Sequence, residues 1–236
     1  MRHWLTYHSI VTFSNSLGPP ADQISISEPH EQHLKEVEKL YTLIFPYILC
    51  PPPLYLEIIR INRLRRDVTL SPFEDPNQYT LDAHDILARI EAFEPGDWAQ
   101  PGKHHNAWQL IGSIYQSAVA LYCTMSLQAV AALPNSLEMD TMRTVHGERL
   151  LENLQAAVQS RHLTKFSLFP LCVLGVEAGY HDDQATRIWI SRRLEDHSRL
   201  LGTSSPLKAR AVLRRYWQRN KVGWDECFDG PYVFIL

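Results

Sequence analysis

Hydrophobic and polar positions alternate along the 236-residue chain mainly with the period of an α-helix. The clearest example is the segment 108–133, since no Asp, Glu, Lys or Arg occurs between Lys103 and Glu138. Its apolar residues, which include Tyr115 and Tyr122, recur at steps of three and four and therefore lie on one stripe of a helix. Small residues follow the remaining face. A helix that is apolar or small nearly all round is typical of a protein core. We therefore predict a long buried helix at the centre of the fold.

Amphipathic segments precede this stretch, separated by breaks rich in proline. Proline removes a backbone donor and restricts the residue before it, so the Pro51-Pro52-Pro53 run ends one helix, and Pro53 suits the first position of the next. A loop over 71–78 holds two further prolines. The predicted helices of this half therefore cover 31–48, start at Pro53, and cover 81–94.

The segments after the central stretch are also helical in pattern. Gly179 is placed to end one helix in a left-handed conformation, Asp182 or Asp183 to cap the start of the next, and Gly202 to end that one. Ser205 followed by Pro206 predicts one more helix start. Alternating β-branched residues occur only at the last positions, 232–236. The predicted fold class is all-α, a single multi-helix domain packed around the long central helix, with further helices over 141–160 and 166–178.

The charge balance disfavours one class of function. The chain carries 23 Lys and Arg against 26 Asp and Glu, for a net charge of −3, which is unusual for a domain that binds nucleic acid unaided. The basic residues of the last third are diluted by acids and spread over two predicted helices, so we interpret them as solvated faces and ion pairs. These residues are Arg187, Arg192, Arg193, Arg199, Lys208, Arg210, Arg214, Arg215, Arg219 and Lys221. A stacking surface for nucleic acid at Tyr216 and Trp217, which lie between arginines, is the alternative.

The cysteines favour a reduced, intracellular compartment. Cys50, Cys123, Cys172 and Cys227 are far apart, without the CxxC pairs typical of a zinc site or the close spacing of a disulfide framework. The N-terminus lacks a continuous apolar region before a small-residue cleavage site, so no signal peptide is predicted. Glutamines and serines interrupt the central apolar stretch, which argues against a membrane span despite its length.

Histidine and aspartate recur together and raise one enzymatic alternative, a metal-dependent hydrolase of the all-helical His-Asp type. Such a site needs neutral imidazole and carboxylate together on a helical scaffold. The spacing is not diagnostic, and the aspartates are explained by a helix cap and a surface position. We therefore predict that the chain is not an enzyme, with no catalytic, cofactor-binding or metal residue and no cofactor. The residues weighed are His84, Asp85, His104, His105, His181, Asp182 and Asp183, besides His30 and His33.

Glu177 is the single charge that the pattern makes unusual. It interrupts an otherwise uncharged segment after Lys165, so its carboxylate is expected to be buried beside a cationic partner, for which Arg161 and Arg187 are candidates. A buried, paired carboxylate that fixes two helices is favoured over a ligand contact. Glu177 is thus predicted to serve stability.

Several segments together resemble one known family. The C-terminal third contains the segments FPLCVLGVEAGYHDDQATRIWISRRLEDHSRLLGTSS and LKARAVLRRYWQRN, followed by the pair Trp224-Asp225. Earlier parts of the chain contain PLYLEIIRINRL at 53–64 and AVALY at 118–122, and the chain opens with MRHWLTYHS. Together these segments resemble the fungal-specific transcription factor domain of zinc binuclear cluster regulators. They are packing motifs without a reactive group.

The resemblance implies a helical regulatory or interaction domain over 1–236 that acts in transcription, in the nucleus. The implied partners are other proteins or a second copy of the chain, with a small-molecule effector as a further candidate. The six-cysteine cluster with which that family contacts DNA has no counterpart here, so DNA would be reached only through a domain outside this chain. Counterparts of the apolar helices that follow the family's opening are missing over 14–30, which suggests a shortened domain.

Overall fold

The helical pattern of the sequence is realised throughout the residues that the computed structural model describes, which are 34–35, 37–39, 41, 49–70, 76–159, 163, 166–219 and 221–228. No strand occurs among these residues, and the fold is all-α as predicted. The helices with defined bounds are α1 (Pro52–Leu70), α2 (Pro76–Glu91), α3 (Pro95–Trp98), α4 (His105–Ala129), α5 (Leu137–Val158), α6 (Leu168–Tyr180), α7 (Gln184–Leu201), α8 (Ser205–Trp217) and α9 (Trp224–Cys227).

Helix α4 lies at the centre of the fold, as its uncharged sequence predicts. It packs against α1, α2, α3, α5, α6 and α9. Tyr115 and Tyr122, on the predicted buried stripe, are only 4% and 0% exposed. At Gly112, an added Cβ would lie 3.1 Å from the Cβ of Pro95, so the absence of a side chain lets α3 approach closely. The helix ends before the predicted position because Ala131 has a φ of 59° and turns the chain.

The polar groups of α4 bond to neighbouring elements. The Gln116 side chain donates to the carbonyl oxygens of Ile90, at 3.0 Å, and Phe93, at 2.8 Å. The Tyr115 hydroxyl donates to the carbonyl of Phe166 at 3.0 Å. By length and composition alone α4 is able to cross a membrane, but 89% of its most apolar window is buried inside the fold. Burial of this kind is typical of the core helix of a packed domain.

The predicted N-terminal helix includes only a few described residues. Leu34, Val37 and Tyr41 are helical and buried, as its apolar face requires. Tyr41 stacks on Tyr55 of α1 with 3.8 Å between ring centroids, and its hydroxyl donates to the carbonyl of Cys50 at 2.7 Å. The predictions that concern 1–33, 42–48 and 229–236 lie outside the described residues.

Several helix ends agree with the sequence, and others differ. Gly202 ends α7 in the left-handed region with a φ of 66°, and the Asp183 side chain caps its start by accepting from the backbone N–H of Thr186 at 3.0 Å. Helix α8 follows Ser204, whereas the cap was expected at Ser205. Helix α2 begins at Pro76, inside the predicted loop, because proline is tolerated in the first turn of a helix.

The prediction for Gly179 was wrong. It lies inside α6, which continues to Tyr180, and it is not among the residues with positive φ. A Cβ on Gly179 would lie 2.2 Å from the Tyr216 ring of α8, so glycine is required there for space. Asp182 takes the left-handed conformation instead, with a φ of 49°. Gly179 therefore permits close packing of α6 and α8.

The buried face of α5 also differs from the predicted one. The apolar pattern of the segment 141–160 predicts that Val145 points inward, but it is 45% exposed, whereas Arg143 and His146 are buried. Both polar side chains have carboxylate partners, at Glu177 and Glu91 respectively. The buried residues of α5 follow helical spacing once polar residues are counted among them. They include Met139, Arg143, His146, Leu150, Leu154 and Ala157.

Candidate functional site

The residues considered for a metal site are dispersed over three elements. His84 and Asp85 are exposed on α2, His104 and His105 lie at the start of α4, and His181 follows α6. Within the described part of the chain, no group of three His, Cys, Asp or Glu residues is placed to hold a metal ion. The hydrolase alternative therefore has no support from the geometry, while His30 and His33 lie outside the described residues.

A buried ion cluster surrounds Glu177, which is 4% exposed as predicted. Its principal partner is Arg143 of α5, whose Nε lies 3.0 Å from the Glu177 Oε2, and the His181 Nε2 lies 2.9 Å from the Oε1. The expectation of Arg187 was wrong, because Arg187 pairs with Asp182 at 2.6 Å and donates to the Ala178 carbonyl at 3.1 Å. Arg161 lies outside the described residues.

Burial dominates the pKa of the Glu177 carboxyl. Loss of hydration raises the pKa of the Glu177 carboxyl, and this outweighs the opposing effects of Arg143 and His181. Arg143 is held further by the face of the Tyr180 ring, 4.0 Å from its guanidinium carbon, and by the Gln128 Oε1 at 3.4 Å. The cluster thus joins α4, α5 and α6. We assign it a structural role, although a shallow cavity of about 200 Å³ lies beside it.

A second buried cluster joins α1, α4 and α9. The Arg65 side chain is 0% exposed and lies 2.5 Å from the Asp225 carboxylate, and it donates to the Tyr122 hydroxyl at 3.2 Å. Tyr122 in turn donates to Asn62. The Trp224 ring covers this group, 4.7 Å from the Tyr122 ring between centroids. The cluster fixes the short α9 against the centre of the fold.

The largest concave surface that we describe is a groove of about 530 Å³ between α7 and α8, which we call the arginine groove. The two helices run antiparallel there, since Glu195 and Arg210 meet at one end and Arg187 and Trp217 at the other. Its lining residues are Gln184, Arg187, Ile188, Ser191, Arg192, Glu195, Arg210, Arg214, Trp217 and Gln218.

The charges of the arginine groove are not balanced. Arg210 lies 2.5 Å from Glu195, and Arg187 pairs with Asp182 just outside the lining. Arg192 and Arg214 are exposed, and neither has a carboxylate partner within the residues that the structure describes. The sequence interpretation of this basic region as solvated faces and ion pairs is therefore confirmed for part of the set only. It missed that two unpaired arginines share one groove.

The four cysteines are buried, and none of them lines the arginine groove. Burial raises the pKa of the Cys50, Cys123 and Cys172 thiols. A protonated, inaccessible thiol is a poor nucleophile and a poor metal ligand. The cysteines therefore act as small hydrophobic residues of the core.

Comparison with known proteins gives two matches. The family model described as "Fungal specific transcription factor domain" matches residues 1–235. The phomenoic acid biosynthesis cluster-specific transcriptional regulator of Leptosphaeria maculans is 41% identical over 192 residues, which cover 81% of this chain and 37% of that protein. The chain thus spans little more than a third of the length of this relative. No solved structure matches the chain significantly.

Proposed function

The chain belongs to the fungal specific transcription factor domain family, and from this membership we propose that it is a regulatory domain that controls transcription through contacts with other proteins. The matched relative, named as a transcriptional regulator of a biosynthesis cluster, supports the same role. Because the chain covers only part of that relative, the action of the whole protein forms part of the proposal.

The observation that carries this proposal is the arginine groove. The charged side chains of the two buried clusters form ion pairs with side chains of neighbouring helices, so those clusters join elements of the core. Arg192 and Arg214 in contrast leave positive charge at the surface of a groove of about 530 Å³. A concave surface whose charged side chains lack an internal ion-pair partner is suited to bind another molecule.

We place DNA contact outside this chain. A binuclear zinc cluster needs accessible thiolates at close spacing, and the four cysteines here are buried in the core. The net charge of −3 also disfavours binding to nucleic acid without help from another domain. The proposed arrangement is a regulatory domain in the nucleus that acts together with a DNA-binding segment, with a second copy of the chain or an effector as further partners.

A tethering experiment tests the regulatory role. The full chain is fused to an unrelated DNA-binding domain in a fungal cell, and transcription from a reporter with the matching operator is measured. We expect the fusion to change reporter output relative to the DNA-binding domain alone. The Arg65→Ala fusion, which loses a buried charge contact, is the control that should reduce the change because its fold is less stable. Equal output from the native fusion and the DNA-binding domain alone would contradict the proposal.

A further inference from the structure

The two walls of the arginine groove follow from helical spacing. On α7, Gln184, Ile188, Arg192 and Glu195 are separated by four, four and three residues and therefore lie on one face. On α8, Arg210, Arg214 and Trp217 are separated by four and three residues and face them. Each wall thus presents polar and apolar groups in sequence along the same axis.

The extent to which arginines are paired with carboxylates differs along the groove. At the end near Gly202, Arg210 is neutralised by Glu195. In the middle, Arg192 on one wall and Arg214 on the other lack a carboxylate partner among the described residues. Arginine presents a fork of N–H donors that matches a carboxylate, so this middle region is suited to accept negative charge.

The far end of the groove has two apolar groups, Ile188 and Trp217, beside the polar side chains of Gln184, Arg187 and Gln218. The Trp217 indole N–H donates to the Gly175 carbonyl at 2.8 Å, which fixes the ring, and the Arg187 guanidinium carbon lies 5.9 Å from the ring centroid. Ile188 beside it is 45% exposed. An exposed isoleucine next to a fixed aromatic ring offers a contact for one apolar side chain.

We propose that the arginine groove binds an acidic segment of a partner protein, with carboxylates on Arg192 and Arg214 and an apolar side chain against Ile188 and Trp217. This assignment rests on the proposed regulatory function and names the chemical class of its partner. The volume of the groove, about 530 Å³, lies within the range of ligand sites. Acidic and apolar residues together match both of its surfaces.

Nucleic acid fits the same groove less well. Glu195 is part of the lining, and the whole chain has a net charge of −3, so the repulsion of an anion grows with the number of charges that it carries and is larger for a polyanion than for a short acidic segment. Base stacking would have to use Trp217, because the neighbouring Tyr216 is 1% exposed. A short acidic segment can satisfy the two free arginines without a long phosphate backbone.

The test uses the full chain and two labelled synthetic peptides. One peptide contains only Asp, Glu, Leu and Phe, and in the other Asn and Gln replace the acids. Fluorescence anisotropy should show binding of the acidic peptide that weakens as salt rises, and little binding of the neutral one. The Arg192→Gln/Arg214→Gln variant should bind about tenfold or more weakly, since an interface arginine often carries that much affinity.

A matched control is available on the same two helices. Arg199→Gln/Lys208→Gln removes two positive charges from exposed positions of α7 and α8 that are not part of the groove lining. It should leave peptide affinity nearly unchanged. Equal losses in both double variants would mean that net charge alone attracts the peptide, and this would overturn the proposal.

Two further outcomes are decisive. Stronger binding of a single-stranded DNA of equal length than of the acidic peptide, lost in Arg192→Gln/Arg214→Gln, would assign the groove to nucleic acid and overturn the proposal. Peptide-independent dimerisation that the same variant abolishes would assign it to a second copy of the chain. If the tethered chain changes reporter output but neither peptide binds, the regulatory role stands and the acidic partner is wrong.

Discussion

Two sets of arginines in this protein lie in opposite environments. Arg65 and Arg143 are in the core, with side chains 0% and 7% exposed, and each contacts a carboxylate of another helix. Arg192 and Arg214 lie on exposed faces of α7 and α8 without such a contact in the described part of the chain. The first set joins helices, whereas the second leaves charge available to another molecule.

The difference follows from the cost of removing charge from water. A buried guanidinium is tolerated only when carboxylates and hydrogen-bond acceptors replace its hydration, so its partners must be part of the fold. An exposed guanidinium keeps its water and needs no internal partner. Substitution of a core arginine should therefore affect stability, and substitution of a groove arginine should affect binding.

The largest effect is expected for Arg65→Ala. The change removes the Arg65 contacts of the Asp225 carboxylate and the Tyr122 hydroxyl, together with a large buried side chain. Loss of one member of a buried ion pair commonly costs about 3–5 kcal/mol of unfolding free energy. Because the Asp225 side chain is 28% exposed and partly screened by water, we expect a loss at the lower end of this range, about 3 kcal/mol of unfolding free energy, measured by urea unfolding.

Arg65→Met is the matched control for shape. Methionine fills much of the same volume without a charge, so it should be less destabilising than alanine. If both variants unfold at the native urea concentration, Arg65 does not anchor α9 and the contrast with the groove fails.

A smaller effect is expected for Glu177→Ala. Arg143 would lose the Glu177 carboxylate but keep the Asp140 carboxylate at 3.4 Å, Gln128 and the Tyr180 ring, so a loss of about 2 kcal/mol in unfolding free energy is expected. Urea or thermal unfolding of the full chain measures it. An unchanged melting curve would mean that Glu177 does not fix α5 to α6.

The pH dependence of the same residue has a definite sign. Burial raises the pKa of Glu177 above its ordinary value of 4.5, so the folded state binds more protons than the unfolded state above that pH. Its contribution to stability is fully present below pH 4.5 and is lost as the pH rises through the folded-state pKa. The stability of the native chain relative to Glu177→Gln should therefore decrease from acidic to neutral pH. A difference that increases with pH would contradict this assignment.

For Glu91 we expect a pH dependence of stability that is opposite in sign to that of Glu177 and smaller. A hydrogen bond from His146, at 2.7 Å, lowers the pKa of the Glu91 carboxyl below 4.5, against partial burial. This contribution is present above pH 4.5 and is lost as the pH falls through the folded-state pKa. The stability of the native chain relative to Glu91→Gln should shrink on acidification, as followed by urea unfolding. The effect should be small because the Glu91 side chain is 42% exposed.

Sequence reasoning reached the fold more completely than the site. The uncharged run of α4 predicted its burial, because no other environment in a folded domain suits such a helix. Gly179 was misread since the sequence does not distinguish a glycine required by backbone conformation from one required by the Tyr216 ring. The partner of Glu177 was missed because Arg143 becomes a neighbour only when α5 packs on α6. Contacts between distant segments leave no local pattern.

The arginine groove was missed for the same reason. Arg192 and Arg214 are separated along the chain and become opposite walls only through the antiparallel packing of α7 on α8. The sequence alone shows only that Arg192 is four residues from Ile188 and that Arg214 is three residues from Trp217, which places each pair on one helix face. The ion pairs that neutralise Arg187 and Arg210, but not the other two, require the folded geometry.

The smallest stability effect is expected for Arg192→Gln/Arg214→Gln, and it makes the contrast sharpest. Neither guanidinium has a carboxylate partner among the described residues, so urea unfolding should give a free energy within about 0.5 kcal/mol of the native value. A loss as large as that of Arg65→Ala would show that these arginines support the fold. Native stability combined with lost binding of the acidic peptide would instead show that these arginines serve recognition and not folding. The physical reason is that the groove arginines remain hydrated until a partner replaces their water.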